Sequence, residues 1–209
     1  MSERPALVLP QGFEASLARS EGAVRRVLLV RHSDRPAAIP GISDSDFGLT
    51  EVGEARARLL GQRLGDSLRW ALASPLRRCG RTAELAGLIA EDSALLGAPG
   101  PFVVDCRRGQ EVFETHGTPV VVRAQIQGET WGCMRDLEEG AGSVVRELLA
   151  RLDARPGTGL AVSHDAIVMP IIAWITGETF ADRWLDPLDG AILTPDELLW
   201  EGRSFEVPR

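Results

Sequence analysis

From residue 23 onward the chain alternates short apolar runs with longer amphipathic stretches. Val27-Leu28-Leu29-Val30 is unbroken, as expected of a strand buried on both faces. Arg31-His32-Ser33-Asp34-Arg35 follows, and Pro36 stops ladder pairing, so residues 36–48 read as loop. The period then lengthens. Ala57, Leu60 and Leu64 share one helical face, Thr50 can cap the start, and Glu51 and Glu54 suit the first turn. A second strand is predicted over Trp70–Ala73, broken at Ser74-Pro75, with a helix from about Leu76 to Ala90. Residues 97–101, rich in Gly and Pro, read as loop, and Phe102–Asp105 as a third strand. Val144–Leu152 reads as helix, Gly159–Val162 as a fourth strand, and Ala166–Thr176 as the helix after it. The segments Gly190–Thr194 and Leu198–Val207 are expected to add one or two edge strands.

Strands alternating with helices predict an α/β fold: a three-layer sandwich with a mostly parallel central sheet flanked by helices. Residues 23–209 read as a single domain with an irregular, partly helical insert around 100–140, and residues 1–22 as a peripheral N-terminal extension. A length of 209 residues suits one such core. No apolar run approaches the roughly 20 residues that span a bilayer, and no leader-like apolar region opens the chain. The expectation is therefore a cytoplasmic protein with no membrane partner.

The net charge of −7 argues against a nucleic-acid partner, which would need a clustered basic face. All 23 residues of the Lys+Arg count are Arg, so any anion clamp must be built from Arg and His. Three cysteines at wide spacing, Cys79, Cys106 and Cys133, give neither a disulfide framework nor a metal motif. The five tryptophans read as packing residues.

In open parallel sheets, ligands bind beyond the carboxyl ends of the strands. Three predicted strand exits carry chemistry: Arg31-His32, Ser74 to Arg78, and Ser163-His164-Asp165. His116, in Thr115-His116-Gly117, is not at such an exit and reads as an exposed loop residue. Arg31, His32, Arg35, Arg78, His164 and Asp165 together suit phosphoryl transfer. Arginine forks match phosphoryl oxygens, a neutral imidazole can attack phosphorus, and a carboxyl group can move the proton. A metal site on His32, His164 and Asp165 is disfavoured, because Arg31 and Arg78 would repel a cation. No metal and no cofactor are expected. Arg77 and Arg81, beside Arg78, read as facing solvent or acidic neighbours.

Leu29-Val30-Arg31-His32-Ser33 resembles the strand-then-Arg-His-Gly signature of the histidine phosphatase, or phosphoglycerate mutase-like, superfamily. The resemblance continues in order through Leu49-Thr50-Glu51-Val52-Gly53, Ser74-Pro75-Leu76-Arg77-Arg78 to Thr82-Ala83, and Val162-Ser163-His164-Asp165. It implies a histidine-phosphatase-like domain that hydrolyses phosphomonoesters through a phosphohistidine on His32. Arg31, Arg78 and His164 would bind the phosphoryl group, His164 in its protonated form. Arg35 resembles a further phosphate arginine of the acid phosphatase branch, and His164-Asp165 resembles that branch's His-Asp pair, which makes Asp165 the proton donor. A mid-chain glutamate, Glu111 or Glu114, is the competing donor, as in the mutase-like branch. The implied partner is a small phosphorylated substrate or a phosphoprotein; oligomeric state is left open. A phosphoryl mutase, or an inactive phosphate-binding pseudophosphatase, is the alternative. Ser33 stands where the family has Gly, which would strain the loop if that position needs φ > 0.

Overall fold

The computed structural model describes residues 7–37, 47–97 and 99–208, so residues 38–46 of the loop read over 36–48 and Ala98 of the next loop lie outside the described residues. Chain order is α1 (Gln11–Arg19), β1 (Arg26–Arg31), α2 (Glu51–Leu64), β2 (Leu68–Ala73), α3 (Arg77–Leu85), β3 (Glu91–Asp92), α4 (Cys106–His116), α5 (Thr118–Ile126), α6 (Leu137–Ala154), β4 (Thr158–Ser163), α7 (Asp165–Thr176), β5 (Gly190–Leu193), β6 (Glu197–Trp200) and β7 (Arg203–Glu206).

The sheet has seven strands in the order β3-β2-β4-β1-β5-β6-β7. β3, β2, β4 and β1 are mutually parallel, and β5, β6 and β7 continue antiparallel from β1. Successive side chains of a strand point to opposite faces, and β1 uses both. Val27 and Leu29 join the core under α5, α6 and α7; Leu28 and Val30 join the core under α1, α2 and α3. The result is the three-layer α/β sandwich expected from the alternation.

Three sequence expectations change. Residues 11–19 are not peripheral: α1 buries Phe13 and Leu17 completely against the sheet, at an i, i+4 spacing that places both on one helix face. Phe102–Asp105 is not a strand of the sheet. Phe102 is a buried core anchor, and Val103 makes only an isolated bridge to Met134. The third strand is instead the exposed pair Glu91–Asp92. A short apolar run reads the same whether it is a strand or a packed loop. The insert is regular where irregularity was expected, with α4 and α5 arranged in succession and α6 starting at Leu137.

Candidate active site

The register brings the candidate residues together. Arg31 of β1 pairs with Ser163 of β4, and Ala73 of β2 pairs with Val162. Beyond those pairs the His32 N–H donates to Ser163 O at 2.8 Å, and the Ser74 N–H to Val162 O at 2.9 Å. Three strand ends therefore release His32, Ser74 and His164 side by side. The His32 and His164 rings meet edge to face, with centroids 5.4 Å apart. His32, Arg78 and His164 are buried to 3%, 4% and 7% exposure, which is rare for such polar groups without a built environment.

His32 Nδ1 lies 2.7 Å from Ser33 O. A carbonyl oxygen only accepts, so Nδ1 carries the proton and Nε2 keeps its lone pair. Burial lowers the His32 pKa to about 4, and the charges of Arg78 and Arg31 add to the shift against the Ser33 bond and Asp165. The ring is thus a neutral imidazole with one bare nitrogen.

His164 sits between Ser74 Oγ, 2.8 Å from Nε2, and Arg78 Nη2, 3.3 Å from Nδ1. Arg78 brings its positive charge against one ring nitrogen, and Ser74 Oγ holds the other. Cys79 packs beneath, with Sγ 3.6 Å from His164 Nε2; burial pushes its thiol up to about 12, so it stays uncharged.

Asp165 opens α7. Its Oδ1 accepts from Ala166 N at 2.9 Å, its Oδ2 accepts from the Trp184 indole at 2.9 Å, and Arg31 Nη2 lies 3.2 Å from Oδ2. Burial pushes its pKa up, but Arg31, the indole and the Ala166 N–H outweigh it, and the net direction is down. Arg31 also donates to Leu185 O. Arg35 is half-buried on the rim and donates to Pro36 O at 3.0 Å.

These side chains line a cavity of about 790 Å³. Its carboxylate among the described lining residues is Asp165. Glu111 and Glu114 are not on its wall: Glu111 pairs with Arg107 on the exposed face of α4, and Glu114 accepts from the Gln110 amide. His116 stacks on Trp131, centroids 4.6 Å apart, away from the cavity. Arg81 pairs with Glu54 and Glu84, and Arg77 is exposed. Among the described residues, no three His, Cys, Asp or Glu side chains are grouped to hold a metal ion. No described helix is long and apolar enough to cross a membrane.

The loop behind His32 is tied down by residues that the sequence reading did not single out. The Ser33 N–H donates to Thr82 Oγ1 at 3.2 Å, Thr82 Oγ1 donates to Arg78 O at 2.8 Å, and Ser33 Oγ donates to Gly53 O at 2.8 Å. Ser33 is not among the residues with positive φ, so the strain anticipated for a side chain there does not arise. Gly53 is required by close approach. A Cβ there would sit 2.2 Å from Asp34 O and 3.0 Å from Asp34 C. Gly53→Ala is expected to cost about 1–3 kcal/mol through overpacking and to weaken turnover by displacing the His32 loop. Urea unfolding, with kcat measured alongside, checks both. Ser74, Thr82 and Gly53 all lie inside the quoted family segments, which was the available signal. Trp184 had none, because a lone tryptophan reads as packing.

Residues 27–93 match the family model of the histidine phosphatase superfamily, branch 1. That stretch holds Arg31, His32, Arg35 and Arg78 and ends before His164 and Asp165. Solved structures share the fold. "Mycobacterial hydrolase 1" superposes with a TM-score of 0.57 at 17% identity, over 87% of this chain and 96% of that one. The mycobacterial glucosyl-3-phosphoglycerate phosphatase Rv2419c gives 0.56 at 17% identity, over 86% and 96%. A variant of TTHB049 from Thermus thermophilus gives 0.50 at 22% identity, over 87% and 99%. No curated protein sequence matches the chain. The chain thus shares the histidine phosphatase family match over residues 27–93 and the fold of these solved structures.

Proposed function

We propose that the protein hydrolyses phosphomonoesters through a phosphohistidine on His32. The observation that carries this reading is the state of that ring: neutral, with Nε2 bare and Nδ1–H held by Ser33 O, in a cavity shared with Arg31, Arg78 and His164. Nε2 attacks phosphorus and the ester P–O bond breaks, while Asp165 protonates the departing oxygen. Water then attacks the phosphoryl group, Asp165 takes its proton, the P–N bond breaks, and phosphate leaves with the His32 lone pair restored. Arg31, Arg78 and His164 are assigned to the phosphoryl oxygens, with Arg35 as a further cation at the rim. Asp165 supports the donor role as the carboxylate of the cavity wall, in preference to Glu111 and Glu114.

The downward shift of Asp165 has a consequence for pH. The free enzyme holds it ionised at neutral pH, so the proton must arrive with the substrate, as the phosphomonoester monoanion. Phosphomonoesters lose that proton near pH 6. His32 gains one only near pH 4, which removes the nucleophile. The kcat/KM is therefore expected to be highest between about pH 4 and 6, falling tenfold per unit above the upper limit. A profile rising through pH 7 to 8 would contradict the assignment of the proton.

The direct test is to quench the enzyme during turnover of a ³²P-labelled monoester. An acid-labile, base-stable label on the protein marks a phosphohistidine, and its transfer to water or to a second alcohol separates a phosphatase from a mutase. Absence of any label during turnover would remove the covalent route.

A further inference from the structure

The cavity is larger than a phosphoryl group needs, and its two ends differ. The cations and titratable groups gather at the strand ends: Arg31, His32, Arg35, Arg78, His164 and Asp165. The rest of the wall comes from the residue before α3, the loop before α4, α4 and α5, the start of α7 and the segment after α7. It is built from Leu76, Val103, Phe113, Pro119, Ile167 and the ring of Trp184. Gln110 and Thr118 are its neutral hydrogen-bonding groups. No charged side chain lies on that wall among the described residues. The start of α4 reaches the cavity at Cys106, but Asp105 already accepts from Arg108 N there and brings a negative charge to the helix end. Arg107 and Arg108, the cations of α4, do not line the cavity. Residues 38–46 contain no Arg, Lys or His, so that stretch holds no cation either.

We infer that the substrate's leaving group is uncharged and largely apolar: the phosphate ester of an aromatic or extended aliphatic alcohol, carrying at most a neutral polar function. This deepens, and rests on, the reading of the cationic end as the phosphoryl site. A second anionic group would be desolvated against Phe113 and Ile167, which is costly. A cavity of about 790 Å³ lies in the range that encloses a ligand of drug size. Burying an added ring against this wall is favourable in proportion to its apolar area.

Phosphonates, which cannot be hydrolysed, test selectivity apart from turnover. Calorimetry on the wild type would compare benzylphosphonate, 1-naphthylmethylphosphonate and 4-carboxybenzylphosphonate at one pH. The naphthyl compound is expected to bind about tenfold tighter than the benzyl one, and the carboxylated compound at least tenfold weaker. In Cys106→Arg, an exposed position on the wall, the carboxylated ligand should recover about tenfold. Equal affinities, tighter binding of the carboxylated ligand, or no response to Cys106→Arg would overturn the inference and leave hydrolysis untouched. Failure of all three ligands to bind would sink the phosphoryl site and the inference together. Selective binding in a protein that hydrolyses no ester would uphold the wall's preference and remove only the proposed reaction. A phosphopeptide that outcompetes the naphthyl compound would assign the site to phosphoproteins instead.

Discussion

His32→Ala is expected to lower hydrolysis of a chromogenic phosphomonoester by on the order of 10⁴-fold or more, with no metal added. Arg31, Arg78 and His164 remain in this variant, so binding of inorganic phosphate should survive while turnover does not. Equal activity in both proteins would eliminate His32 as the nucleophile. The same substitution carries a stability signature that tests the state of the ring without any substrate. Native His32 has its pKa lowered to about 4, against an ordinary value of 6.5. A depressed folded-state pKa gives stability that is present above the unfolded value and lost as pH falls. Below pH 6.5 the unfolded chain takes up a proton that the native ring refuses until about pH 4. The linked loss over that window is about 3 kcal/mol. His32→Ala should lack this component, so the stability gap between the two proteins narrows or reverses toward pH 4. Urea unfolding at pH 7, 5.5 and 4.5 measures it. Parallel curves at every pH would mean that the native ring is not held neutral.

Asp165→Asn is expected to separate chemistry from helix capping. Asn keeps one oxygen for the Ala166 N–H, loses the acceptor for the Trp184 indole, and is as good a residue as Asp near a helix start. It also lacks the transferable proton. Hydrolysis of an alkyl phosphate, whose leaving oxygen needs protonation, should fall by about 10²- to 10⁴-fold. Hydrolysis of 4-nitrophenyl phosphate, whose leaving group departs as an anion, should fall by about tenfold or less in the bond-breaking step. An equal loss on both substrates would mark Asp165 as structural, acting through α7 and Arg31. No loss on either would return the donor role to a group outside the cavity wall, with Glu111 and Glu114 the first to be reconsidered. Trp184→Phe removes the indole donor while keeping the ring. It should raise the pH at which Asp165 is protonated and so raise kcat/KM for alkyl phosphates on the alkaline side of the profile.

The alternation of apolar runs with helical periods determined the central parallel strands, the helices flanking them and the three-layer class. Each buried strand must satisfy its backbone in the sheet, and each amphipathic helix must cover its apolar side. The four ordered segments around His32, Thr50, Ser74 to Thr82, and His164 were likewise legible, because strand exits can be read locally and the candidate site residues sit on them. Tertiary structure decided what local pattern cannot encode. Phe13 and Leu17 became core because β5 and β6 offer α1 a surface, and a solitary short helix has no signal beyond its own period. Phe102 became an anchor and not a strand because Gly140 leaves room for its ring. The neutrality of His32 depends on burial beneath distant elements, and His164 meets Arg78 from 86 positions away in sequence. The proposal of Asp165 over Glu111 and Glu114 rests on which side of α4 faces the cavity, and the apolar wall opposite the arginines exists only once α4, α5 and α7 meet. Distances across the sheet set these properties, and a one-dimensional pattern carries no information about which distant residues share a wall.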